Sequence, residues 1–272
     1  MIKIKSVNKG AELTSIIFNG EEKLHNGEKY WNRHSPILFP IVGKLKDGKT
    51  IINGKEYFMG QHGFARDMEF ESIGENSYVL KSNEETRAKY PFDFELYVSH
   101  KAEDNRVITK YEIINTSDDE MIFGLGAHPA FICDYSSGKY KLEFEKNEDC
   151  IEFYKLEQGL VKLQKEKFDK HFRNNTIYLD KDIFNEDSIT MKNIKSRKVF
   201  LLENDKKILE FSFPKFKYLA IWSKPGANFL CLEPWFNTAD KVNASGIFEE
   251  KEDLLKLKPN EKFGAEYSVE FF

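Results

Sequence analysis

Only three cysteines occur in 272 residues, Cys133, Cys150 and Cys231, odd in number and with no CxxC pair. That excludes a disulfide framework and leaves no zinc-knuckle or redox-pair signature, so reduced structural thiols are expected. No apolar run approaches the ~18–20 residues of a membrane-spanning helix. No basic excess exists either: 41 Lys and Arg are interspersed with 45 Asp and Glu, for a formal net charge of −4. A phosphate-backbone partner needs a basic footprint, so nucleic acid is not expected. The chain also lacks a Ser/Pro/Gly-rich linker and any repeat of fixed period. Its opening, Met1-Ile-Lys-Ile-Lys-Ser6, alternates apolar and polar residues, with no apolar h-region or small-residue cleavage site following. It reads as a strand, and the expected location is the cytoplasm.

What the chain has in quantity is aromatics, 24 Phe and 12 Tyr, which fit pleated, half-buried surfaces. Period-2 alternation runs through Val107–Ile114 and Lys139–Glu145, and strand patterns also cover Lys198–Leu202, Ile208–Phe213, Tyr218–Trp222, Phe229–Leu232 and Tyr267–Phe272. Turn chemistry separates them: Asn53-Gly54 favours a tight hairpin, and Lys224-Pro-Gly226 a type II turn. Helix is scarce. Asn83–Tyr90 has an N-cap and an acidic first turn, and Phe248–Leu257 has room for a short helix or turn. The fold class expected is mainly β, one domain over residues 1–272, with two large packed sheets and less than about a fifth helix.

Six histidines are candidates for chemistry. His25, His100 and His171 sit among charged or turn residues, where solvated side chains are expected, and His34 precedes the apolar Ser35–Val42 segment. His62, in Gly60-Gln-His-Gly-Phe-Ala-Arg66, is bracketed by glycines that permit close backbone approach. His128, in Gly124-Leu-Gly-Ala-His-Pro-Ala-Phe131, closes a strand pattern before Pro129. Glu233 ends the apolar strand Phe229-Leu-Cys-Leu, where a carboxylate is costly to bury without a partner. It either emerges at the sheet rim or sits in a site. Trp235 and Phe236 beside it offer faces for a sugar ring, against the commoner role of core aromatics.

These three segments, in this order, resemble the aldose 1-epimerase (galactose mutarotase-like) family, most closely its LacX-like branch. The resemblance extends to Arg33-His-Ser-Pro-Ile-Leu-Phe-Pro-Ile-Val-Gly43-Lys44 and to Leu257-Lys-Pro-Asn-Glu261, so it covers nearly the whole chain. It implies a large antiparallel β-sandwich and reversible interconversion of aldose anomers, with His62, His128 and Glu233 as the active site. On that reading Glu233 is the base at the C1 hydroxyl and His128 the acid at the ring oxygen. His62 holds that oxygen by a hydrogen bond. Arg33, Lys44, Arg66 and Trp235 are the expected substrate contacts. Lys44 stands where the galactose enzymes have an Arg, and their sugar-gripping Asp has no clear match, since Asp180 and Asp182 lack its motif. No hydride, electron or phosphoryl group moves, so no cofactor and no metal are expected. The expected partner is a small sugar, with the chain a monomer or homodimer.

Four rivals compete with this reading. A hexose-6-phosphate mutarotase usually has RGGIP where this chain has Arg33-His-Ser-Pro-Ile, which favours an unphosphorylated sugar. A non-catalytic sugar-binding protein would not need all three site residues. A metal hydrolase could use His, His and Glu on zinc, but no HExxH appears. A glycosidase needs two opposed carboxylates, and Glu233 alone has a distinctive setting.

Overall fold

The structure, a computed structural model, describes residues 2–272. About 49% of the chain is strand and 7% helix. Two antiparallel sheets dominate. The larger has ten strands, in spatial order Phe172–Arg173, Thr176–Tyr178, Tyr140–Phe144, Lys198–Glu203, Lys206–Ser212, Lys262–Phe271, Arg106–Asn115, Phe94–Glu103, Ser77–Lys81 and Glu71–Gly74. The second runs Leu160–Lys167, Glu152–Glu157, Ile189–Lys192, Tyr218–Trp222, Phe229–Trp235, Gly126–Ala127 and Ile37–Leu38, with Ala130–Ile132 also paired to Phe229–Trp235. One apolar core draws on both: Leu201, Phe211 and Val269 from the first sheet, Leu219, Leu230 and Leu232 from the second. Aromatic contacts bridge them, Phe131 to Phe211 at 6.0 Å and Phe236 to Phe263 at 5.2 Å.

Strand periodicity then determines what the second sheet shows on its far face. Leu230, Leu232 and Phe236 enter the core, so Cys231, Glu233 and Trp235 point the other way. Register places Trp222, Ala220 and Tyr218 opposite them. This outer face is where polar groups meet the buried sheet.

Asn53 and Gly54 take φ of 49° and 75° between paired strands, as a primed hairpin turn requires. Gly226 has φ 82°, and the Ala227 N–H donates to Lys224 O at 2.9 Å. The helix is Glu84–Lys89, held by a capping box between Asn83 and Thr86. Phe248–Leu257 divides into a 3-10 turn, Phe248–Glu250, and a strand, Leu255–Leu257, that pairs with Met121–Phe123.

His25, His100 and His171 correct the expectation of solvated rings, for all three are buried. His25 Nε2 donates to Trp31 O at 2.8 Å, and His171 Nδ1 lies 3.3 Å from Asp180. His100 continues the inward face of Phe94, Leu96 and Val98; its ring nitrogens meet Thr109 Oγ1 at 3.0 Å and Ala11 O at 2.8 Å. Burial pulls this imidazole down to about 4. The unfolded chain binds a proton there near pH 6.5 and the folded one does not. Stability from His100 is therefore whole above that pH and is lost as pH falls towards 4, by up to about 3 kcal/mol. Against urea, His100→Gln is expected to cost more at neutral pH than near pH ~4. An equal cost at both would show that the ring titrates normally in the fold.

Candidate active site

On the outer face of the second sheet lies a cavity of about 850 Å³, lined by His62, His128, Glu233 and Trp235 among others. That size is within the ~300–1,000 Å³ of small-molecule sites. Trp31 and Trp222 wall one side, with Trp31 stacked on the His128 ring at 4.7 Å between centroids and Trp222 edge-on to it at 5.7 Å. Sheet pairing accounts for the convergence. Gly126 pairs with Trp235 and Ala130 with Cys231, so the intervening His128 stands beside Glu233. A Cβ on Gly126 would lie 2.7 Å from the Trp235 ring, so this position requires glycine.

His128 Nε2 is 3.1 Å from Glu233 Oε2, and both side chains are buried. The alignment makes no hydrogen bond, and Glu233 Oε2 and His128 Nδ1 have no hydrogen-bond partner among the described residues. Desolvation is the main force on both groups. It pushes the Glu233 carboxyl well above the usual range, helped by the charge of Asp187 and opposed by the Trp235 indole N–H. It pulls the His128 imidazole down, helped by the positive charge of Arg66. Each neutral form is favoured, a carboxylic acid on Glu233 beside a neutral imidazole on His128.

His62 is set differently. Its φ is 67°, uncommon for a side-chain-bearing residue, and Gly63 follows at 74°. A Cβ on Gly63 would lie 2.2 Å from Phe39 O. His62 N–H donates to Gly43 O at 2.7 Å, and Gly43 N–H donates back to His62 Nδ1 at 3.0 Å. With Nδ1 occupied as an acceptor, the neutral ring carries its proton on Nε2. Burial, and the neighbouring His128, Arg66 and Arg33, hold this imidazole well below its ordinary value. His62 is thus a fixed N–H donor, 5.6 Å from the His128 ring between centroids. The Gln61 amide nitrogen stands 3.3 Å from Nε2, donor against donor, which a half-turn of the amide relieves.

The other expected contacts divide. Arg33 and Arg66 line the cavity, but each is engaged: Arg33 with Asp67 at 2.7 Å, Arg66 with Gln61 O at 2.6 Å. Trp235 lines it, whereas Phe236 packs on Phe216 in the core. Lys44 is not part of the wall: its exposed side chain passes Gly159, and its ammonium donates to Gln158 O at 3.1 Å. The turn at Gly43, φ 71°, sends the next residue outward. Asp180 faces His171, and Asp182 also lies outside the cavity. Asp187 is the aspartate on its rim, with φ 86° and Oδ1 accepting from Ser188 N–H at 2.7 Å. Trp31, Trp222, Gln61 and Asp187 were not singled out from the sequence. Of these, Gln61 lay inside a recognised segment, and Asp187 carried no periodic or motif signal.

The fold and this site together define a two-sheet antiparallel sandwich with a buried imidazole–carboxylate pair opening on a cavity of small-molecule size. The chain belongs to the aldose 1-epimerase family, whose model matches residues 2–266, and the family is one of isomerases. It is 33% identical to the plasmid-encoded protein LacX of Lactococcus lactis subsp. lactis, over 96% of this chain and 93% of that protein. Among solved structures it is similar to a galactose mutarotase related enzyme from Lactobacillus acidophilus. The TM-score there is 0.92 at 30% identity, covering 100% of this chain and 95% of that one. A galactose mutarotase-like protein from Lactobacillus casei gives a TM-score of 0.93 at 27% identity, covering 100% and 97%. Among the described residues no helix is long and apolar enough to cross a membrane.

Proposed function

We propose that this site interconverts the α and β anomers of a free hexose by acid–base ring opening and closure, without a cofactor. The observation that carries the reading is the buried His128–Glu233 pair, 3.1 Å apart and facing a cavity that His62 also lines. Ring opening removes the C1 hydroxyl proton and delivers one to the ring oxygen. Glu233 takes the first and His128 gives the second. After C1 turns, closure reverses both transfers and the pair returns to its starting state. The cycle starts with the shared proton on His128 and Glu233 as the carboxylate, whereas burial favours the neutral placement of that proton on Glu233, so a transfer across the 3.1 Å gap precedes ring opening. His62 Nε2–H supports the ring oxygen without giving up its proton.

The walls suit a sugar, with Trp31, Trp222 and Trp235 offering apolar faces and Asn32, Gln61 and Thr190 polar edges. Arg33 is already neutralised by Asp67, and the other lining cations, Arg66 and Lys224, are matched in number by Glu186 and Asp187, a charge balance that suits a neutral hexose. The reading is tested by following freshly dissolved α-glucose, α-galactose and glucose-6-phosphate by polarimetry with and without the protein. Acceleration of a free hexose is expected, and no acceleration of any of the three would overturn the proposal. Dialysis against a strong chelator is expected to leave the rate intact.

The Asp187 carboxylate, on the rim, is assigned to sugar hydroxyls remote from C1. Asp187→Asn keeps an acceptor but loses the charge, so KM is expected to rise by up to about tenfold with little change in kcat. A fall in kcat at constant KM would remove Asp187 from the binding role.

A further inference from the structure

The pair has a third neighbour that the proposed reaction does not use. Cys231 lies two residues before Glu233 on the same face of one strand, and its cross-strand partner Ala130 is two residues after His128. A ring nitrogen of His128, the Cys231 sulfur and a Glu233 carboxylate oxygen all lie within 4.8 Å of one another, and all three residues are buried. Glu233 Oε2 has no hydrogen-bond partner among the described residues.

We propose that His128, Cys231 and Glu233 form a binding site for a thiophilic divalent cation, Zn²⁺ in the first place, and that occupancy of this site switches the acid–base pair off. Bond lengths of about 2.3 Å to sulfur and about 2.0–2.2 Å to nitrogen and oxygen place tetrahedral ligand atoms roughly 3.5 Å apart. The three groups need to close by about an ångström, a matter of side-chain rotation. A thiolate and a carboxylate carry two negative charges against the cation's two positive ones, so the buried complex is neutral. The protons of the Cys231 thiol and of the His128–Glu233 pair leave to solvent as the cation enters. His128 and Glu233 both line the cavity, which leaves the fourth position to a water on that side. Thiolate and imidazole select Zn²⁺, Co²⁺ or Cd²⁺, while Mg²⁺ and Ca²⁺ prefer an all-oxygen shell that is not present here. A carboxylate bound to the cation cannot accept the sugar's proton, and a ligated imidazole cannot donate one. The inhibitory half of the proposal rests on the mutarotase reading; the binding half does not.

The test uses the intact protein and Co²⁺ and Zn²⁺ as probes. Co²⁺ titration is expected to produce a thiolate-to-cobalt charge-transfer band that saturates at one ion per chain. Zn²⁺ is expected to suppress anomer exchange, and a chelator to restore it. In Cys231→Ala the band is expected to vanish. Outer-shell partners alone are worth about 10–100-fold in metal affinity, so loss of a direct ligand weakens Zn²⁺ inhibition by about 100-fold or more. Each rate is compared with the same variant's metal-free rate. Cys150→Ala, which removes the exposed thiol, is expected to keep both band and inhibition. If Cys231→Ala does not fold, Cys231→Ser, of nearly the same size, serves in its place. Absence of the band in the parent protein overturns the site, as does a band that survives Cys231→Ala and disappears in Cys150→Ala. A Cys231-dependent band in a protein that accelerates no sugar upholds the site and removes the mutarotase reading instead.

Discussion

Replacing Glu233 with Gln is expected to abolish anomer exchange, lowering the rate by about 10²–10⁴-fold, while sugar binding survives. The amide has nearly the shape of the carboxyl group and still presents a carbonyl oxygen to a sugar hydroxyl, but it cannot accept a proton at neutral pH. The fold should tolerate the change. Burial already favours the uncharged form of Glu233, and an uncharged amide relieves the cost of a carboxylate there. Thermal unfolding therefore separates lost chemistry from lost structure, saturation-transfer NMR reads the exchange rate, and calorimetry reads binding. Exchange at the parent rate would mean that Glu233 is not the base.

Much of this architecture was legible because strands announce themselves by period 2. Val107–Ile114 alternates cleanly and lies within the paired strand Arg106–Asn115; Asn53-Gly54 is a turn because both residues tolerate positive φ. His100 shows the same rule overlooked. Its place in the alternation of Phe94, Leu96 and Val98 predicts an inward ring, and its charged neighbours point the wrong way. The site was legible in a different manner. Nothing in spacing brings His62, His128 and Glu233 together, for they come from a turn, a strand junction and a central strand. Their convergence was expected from family resemblance, while the chemical state of each ring depends on contacts no pattern displays. Lys44 illustrates this limit, since one residue after a left-handed glycine its side chain lies outside the cavity wall. Asp187 illustrates it from the other side: an irregular segment delivers it to the cavity rim.

His128→Asn is expected to slow exchange by about as much as Glu233→Gln, again ~10²–10⁴-fold, because an amide gives no proton to the ring oxygen. The sharper expectation concerns the two together. If the pair works on one shared proton across 3.1 Å, losing either partner disables the cycle and losing the second adds little. Groups acting as a unit are non-additive in this way. The double variant should therefore be about as slow as the slower single one, whereas independent contributions would multiply. His62→Gln provides the contrast. An amide N–H can stand in for the Nε2–H donor that the Gly43 bond fixes, so the loss should be that of one imperfect hydrogen bond, about tenfold, and should multiply with Glu233→Gln. Rates for the three single and two double variants, measured on the same sugar, decide it. Multiplying effects for His128 and Glu233 would show that each acts on the sugar separately, with the shared proton an incidental consequence of their burial.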